Sequence, residues 1–61
     1  MAQITCKELS ALSDLLTMEQ NMVAKYQSYA CNTGDAVLKD RYEQIAKRHQ
    51  RHYDELYANL K

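Results

Sequence analysis

Two histidines and one glutamate are the residues of this 61-residue chain whose types and spacing could support chemistry. His49 and His52 are three residues apart and lie on the apolar row of one predicted helix, where a packed helix normally carries Leu or Ile. Glu19 is the one charged residue on the corresponding row of the preceding helix. If the helices pair antiparallel about a turn near residue 33, Glu19 lies beside His49 and roughly one turn from His52.

Three interpretations of this cluster stay open from the residues alone. A hydrogen bond between Glu19 and a histidine, with a tyrosine hydroxyl as a further partner, would satisfy buried polar groups and fix the helix register. Alternatively, Glu19, His49 and His52 would be three ligands of a metal ion, zinc or iron, although no cofactor is otherwise expected. In the third interpretation the register drifts and one or both histidines lie at the helix edge in water.

Two long helices must position these residues, because the chain has no proline and a single glycine, Gly34. Thr5 followed by Glu8 is a capping-box pattern, which predicts that helix 1 begins at Cys6. The only turn signal is 32–35, where Asn and Gly tolerate the left-handed conformation and Asp35 can cap the next helix. We therefore predict one all-α domain over 1–61, a two-helix antiparallel hairpin with helix 1 over about 6–31 and helix 2 over about 36–59.

The apolar rows of both helices are wider than a single hairpin can cover. We therefore expect a two-fold homodimer that forms a four-helix bundle. The rows comprise Leu9, Leu12, Leu16, Glu19, Val23, Tyr26 and Ala30, flanked by Leu15, Met22 and Tyr29, in helix 1, and Leu38, Tyr42, Ile45, His49, His52 and Leu56 in helix 2.

The net charge and the motifs of the chain argue against several classes of partner and activity. Eight basic and eight acidic residues give a net charge of zero, which argues against nucleic-acid binding. No apolar run is long enough to cross a membrane, and the first residues lack the pattern of a secretory signal, so we expect cytoplasmic synthesis without export. No Ser or Cys lies in a nucleophile motif and there is no Gly-rich phosphate loop, so no enzyme activity is expected.

The two cysteines, Cys6 and Cys31, cannot pair with each other in this fold. On one straight helix they would lie about 37 Å apart, whereas a disulfide requires Cα atoms within about 7 Å. They are either small packing residues or sites of disulfide cross-linking between chains.

The polar pattern resembles half of a ferritin-like bundle. Glu19 is followed seven residues later by Tyr26, and helix 2 contains I-A-K-x-H-x-x-H-Y-x-x-L. Ferritin-like proteins usually carry Glu-x-x-His in the second helix of each pair, and here His49 takes the place of that Glu. The resemblance implies that Glu19 and His52 correspond to family ligands. A dimer offering two Glu and four His would be a more zinc-like ligand set than a carboxylate-rich iron site.

Over nearly its whole length the chain resembles the short spore coat proteins of the coat F family. The shared features are the opening M-A-Q-x-T-C-K-E-L, the L-x-x-E-Q-x-x-V-x-K-Y stretch of helix 1 and E-Q-I-A-K-x-H-x-x-H-Y in helix 2. The resemblance implies a structural or accessory protein of the spore coat, made in the mother-cell cytoplasm, with other coat proteins as partners. It also implies a use for tyrosine and cysteine in cross-linking.

Overall fold

A computed structural model describes residues 4–60 and consists of two antiparallel α-helices. α1 spans Cys6–Asn32 and α2 spans Ala36–Ala58. The predicted all-α helical hairpin is thus confirmed, with α1 one residue longer and α2 one residue shorter than expected. The molecule measures 47 × 16 × 10 Å, so it is a rod of two helices side by side. Neither helix, within the described part of the chain, has the length and apolar character needed to span a membrane.

The start of α1 is fixed by the capping box that the sequence predicts. The Glu8 backbone N–H donates to Thr5 Oγ1 at 3.1 Å, and the Thr5 backbone N–H donates to Glu8 Oε1 at 3.4 Å. The Thr5 hydroxyl also donates to Glu8 Oε1 at 2.9 Å. Two backbone donors that the first helical turn leaves unpaired are therefore satisfied locally.

The turn between the helices closes differently from the sequence prediction. A left-handed residue was expected at its centre, but no residue within 4–60 has a positive φ. Thr33 instead adopts an extended conformation with φ −88° and ψ 139°, and its N–H donates to the Tyr29 carbonyl at 3.1 Å. Asp35 then caps α2 by accepting the N–H groups of Val37 and Leu38 at 2.8 and 3.1 Å. α1 therefore ends through the Thr33 N–H bond, with the chain extended rather than left-handed, and Asp35 starts α2.

The contact between the helices is narrow and is built on small side chains. In the described chain, the buried residues are Glu19, Val23, Ala30 and Ala46. Ala46 lies beside the predicted row of α2 rather than on it, so α2 is rotated from the orientation that the row predicts. No side chain of the described residues is fully buried, so the hairpin by itself encloses almost no core.

Six apolar side chains lie on one side of the hairpin, which we call the apolar face: the exposed Leu15, Met18, Tyr29 and Leu38 and the half-buried Met22 and Ile45. At 3.6 residues per turn, the members of this face in α1 are displaced from Glu19 in one direction around the helix axis. In α2, Ile45 and His52 are displaced from His49 in the same direction around the axis. Because the helices are antiparallel, equal rotations bring these side chains to the same side of the pair. The opposite side, the polar face, carries Gln20, Gln27, Glu43, Lys47 and Gln50 around a shallow groove.

Candidate functional site

A carboxylate and two imidazoles meet at the middle of the hairpin. Glu19 Oε1 lies 2.6 Å from His49 Nδ1, and Glu19 Oε2 lies 3.1 Å from His52 Nδ1. Each carboxylate oxygen therefore contacts its own imidazole. The structure brings together all three residues that the sequence singles out, and it places His49 nearest to Glu19, as the antiparallel register predicts.

The three side chains differ in their exposure to solvent. The side chain of Glu19 is 10% exposed, that of His49 is 21% exposed and that of His52 is 44% exposed. Burying a carboxylate is costly unless it accepts hydrogen bonds, and the His49 ring supplies one at 2.6 Å when its proton is on Nδ1. His52 lies within ion-pair distance of the other carboxylate oxygen. The register therefore does not drift: His49 lies inside the interhelical contact, and His52 lies at its edge on the side of the apolar face.

Helical spacing explains why these side chains converge. His49 and His52 are separated by three residues, so they are neighbours on one side of α2, with ring centroids 5.6 Å apart and planes at 90°. Glu19 is the middle residue of the 27-residue α1. It is level with this part of α2 because the short turn fixes the antiparallel register of the two helices.

Aromatic rings on the turn side of the cluster hold His49 in place. The Tyr26 ring stacks on the His49 imidazole, with centroids 6.2 Å apart and an angle of 10° between the planes. Tyr26 in turn contacts Tyr29 and Tyr42 at 5.6 and 6.0 Å, and the Lys25 ammonium lies 5.8 Å from the Tyr26 ring centroid. Tyr26 therefore contacts the cluster with its ring, through His49.

Within residues 4–60, no lysine or arginine nitrogen lies within ion-pair distance of the Glu19 carboxylate. Across residues 4–60, the ion pairs are the two contacts between Glu19 and the histidines. No buried side-chain nitrogen or oxygen in this range lacks a hydrogen-bond partner. The buried polar atoms of the cluster are thus satisfied within the hairpin.

The same three donors form a plausible ligand set for a metal ion. One ligand atom from each of Glu19, His49 and His52 lies within 4.8 Å of the others. Two imidazole nitrogens and one carboxylate oxygen are a donor set that zinc and ferrous iron both accept. An ion would replace the direct contacts between the side chains, since its bonds to nitrogen and oxygen are about 2.0–2.2 Å long.

The cysteines take no part in this cluster. Cys6 and Cys31 are exposed and unpaired. At 3.6 residues per turn, both cysteines lie on the side of α1 that is turned from Glu19 toward the polar face. They are therefore directed away from the apolar face and from the two histidines.

Comparison of the chain with protein-family models, with curated proteins and with solved structures returned no match. The likeness to coat F proteins and to ferritin-like bundles accordingly depends on the motifs quoted above.

Proposed function

We propose that this protein acts structurally, by joining two hairpins through their apolar faces into a homodimeric four-helix bundle with a ferritin-like arrangement. The observation that carries the proposal is the accessible surface of the hairpin, 4924 Å². A compact monomer of 7.1 kDa is expected to expose about 4,100 Å². The excess of about 800 Å² equals the area that each partner buries in a typical stable interface.

The position of the exposed side chains supports a second copy as the occupant of this face. Met18 is 53% exposed, and Leu15 and Tyr29 are each 43% exposed, all on one side of α1. A two-fold axis pairs this patch with itself, so an apolar surface meets an equally apolar one. The net charge of zero means that two copies do not repel each other as whole molecules.

The resemblance to coat F proteins supports a place for this bundle in the spore coat. There it would be a structural or accessory component that contacts other coat proteins through its remaining surface. No catalytic step is part of this proposal, and neither nucleic acid nor a membrane is among the proposed partners.

The mass of the untagged protein in solution tests the proposal. We expect twice 7.1 kDa, or 14.2 kDa, from light scattering on a sizing column. Met18→Glu places a charge on the apolar face and should shift the mass toward that of a monomer. Gln20→Glu places the same charge on the polar face of α1 and should leave the dimer intact, with circular dichroism showing equal helix content in both variants.

A native chain that is monomeric at every concentration would refute self-association. In that case the apolar face would be left to bind a helix of another protein. Equal masses for Met18→Glu and Gln20→Glu would show that the dimer forms through a different surface.

Metal binding is a second candidate function, and the convergence of Glu19, His49 and His52 favours it. Protein purified without chelator and then incubated with zinc or ferrous iron should retain close to stoichiometric metal after desalting. His52→Ala should lose that metal, whereas Gln50→Ala, on the polar face of the same helix, should retain it. A native protein that stays metal-free after both incubations would leave the three residues as a purely structural hydrogen-bonded unit.

A further inference from the structure

The Glu19, His49 and His52 cluster lies at the midpoint of the hairpin. Glu19 is the central residue of α1, and His49 follows the centre of α2 by two residues. A two-fold dimer buries most apolar surface when the two hairpins overlap along their whole length. Full overlap places the midpoints of both copies side by side, whether the axis runs along the helices or across them. The two clusters therefore meet in the middle of the proposed dimer.

The cluster also opens toward the partner copy. His52 is its most exposed member, with 44% of the side chain accessible, and it lies on the side of the apolar face. Glu19 and His49 lie behind it, against the interhelical contact. Coordination positions that the three donors leave free would therefore face the second hairpin.

The three donors of one copy leave the coordination of a metal ion incomplete. Each copy supplies one carboxylate and two imidazoles, whereas zinc in proteins usually takes four ligands. A fourth ligand from the second copy would make the ion bind the dimer more tightly than the monomer.

We infer that self-association of this protein is coupled to the binding of a divalent transition-metal ion of the zinc class at Glu19, His49 and His52. The inference depends on the proposed dimer through the apolar face. An ion that binds the dimer more tightly than the monomer must strengthen dimerisation by the same factor. We expect saturating Zn²⁺ to lower the dimer dissociation constant by at least about tenfold, which is within the usual range of such coupling.

Sedimentation equilibrium over a dilution series measures this coupling. The untagged full chain is stripped with chelator, dialysed, and examined alone, with Zn²⁺ and with Mg²⁺. Mg²⁺ serves as the control ion because it prefers oxygen ligands and gains little from imidazoles. His52→Gln removes an exposed ligand, Glu19→Gln removes the buried charge, and Gln50→Ala is the matched control on the opposite side of α2.

The native chain and Gln50→Ala should dimerise at least about tenfold more tightly with Zn²⁺ and show no response to Mg²⁺. His52→Gln should dimerise without a response to Zn²⁺. A native dimer whose dissociation constant is the same with and without Zn²⁺ would overturn the coupling and leave self-association standing. A native chain that is monomeric under all three conditions would overturn self-association as well, even if Zn²⁺ were bound. A full response in His52→Gln would show that the metal acts at another site.

Discussion

Replacing His49 should destabilise the metal-free protein more than replacing His52, because the two imidazoles shield the Glu19 carboxylate unequally. His49 makes the shorter contact, 2.6 Å, and only 21% of its side chain is exposed. His52 contacts the carboxylate at 3.1 Å with 44% of its side chain in solvent. Leucine is a suitable replacement at both positions, because it keeps most of the side-chain volume and leaves no large cavity.

The expected magnitudes follow from these two environments. His49→Leu leaves a buried carboxylate oxygen facing an apolar side chain, which should lower the free energy of unfolding by about 2–3 kcal/mol. His52→Leu removes a partly solvated contact and adds apolar surface to the apolar face, so its cost should be about 0–1 kcal/mol. The double variant Glu19→Leu, His49→Leu removes both partners and should be at least about 1 kcal/mol more stable than His49→Leu alone.

Urea unfolding followed by circular dichroism, in the presence of chelator, measures these differences. All variants must be compared at one protein concentration, since the stability of a dimer depends on it. The reasoning would be refuted if His52→Leu cost as much as His49→Leu. It would be refuted equally if the double variant were less stable than His49→Leu, because the buried carboxylate would then not be the source of the loss.

Three further predictions concern the cap, the aromatic ring and the cysteines. Thr5→Ala should lower the free energy of unfolding by about 1 kcal/mol in thermal melts, because it removes the capping box of α1. Tyr26→Leu should weaken Zn²⁺ binding in calorimetric titrations while the mass of the dimer is unchanged, since the ring that stacks on His49 is lost. Oxidation should link dimers into larger disulfide-bonded species on non-reducing gels, because Cys6 and Cys31 point away from the apolar face. Changing both cysteines to Ser should abolish these larger species. A single dimer band after oxidation would instead place the cysteines at the interface between the two hairpins.

The amino-acid sequence by itself determined the fold and the identity of the cluster. A single glycine, no proline and the Thr5–Glu8 pattern specified two long helices, which begin at the predicted residues and end within one residue of the predicted ends. These are local signals, because capping and helical periodicity depend on residues within a few positions of one another. The short turn fixed the antiparallel register, and this register was enough to bring Glu19 level with His49.

Only the tertiary structure decided how each helix is rotated about its own axis. Periodicity identifies an apolar row but does not determine which edge of that row faces the other helix, and here Ala46, beside the predicted row, is the buried residue of α2. This rotation buries Glu19 and His49, leaves His52 44% exposed on the apolar face and stacks the Tyr26 ring on His49. Each of these features depends on contacts between residues distant in sequence, which no local pattern encodes.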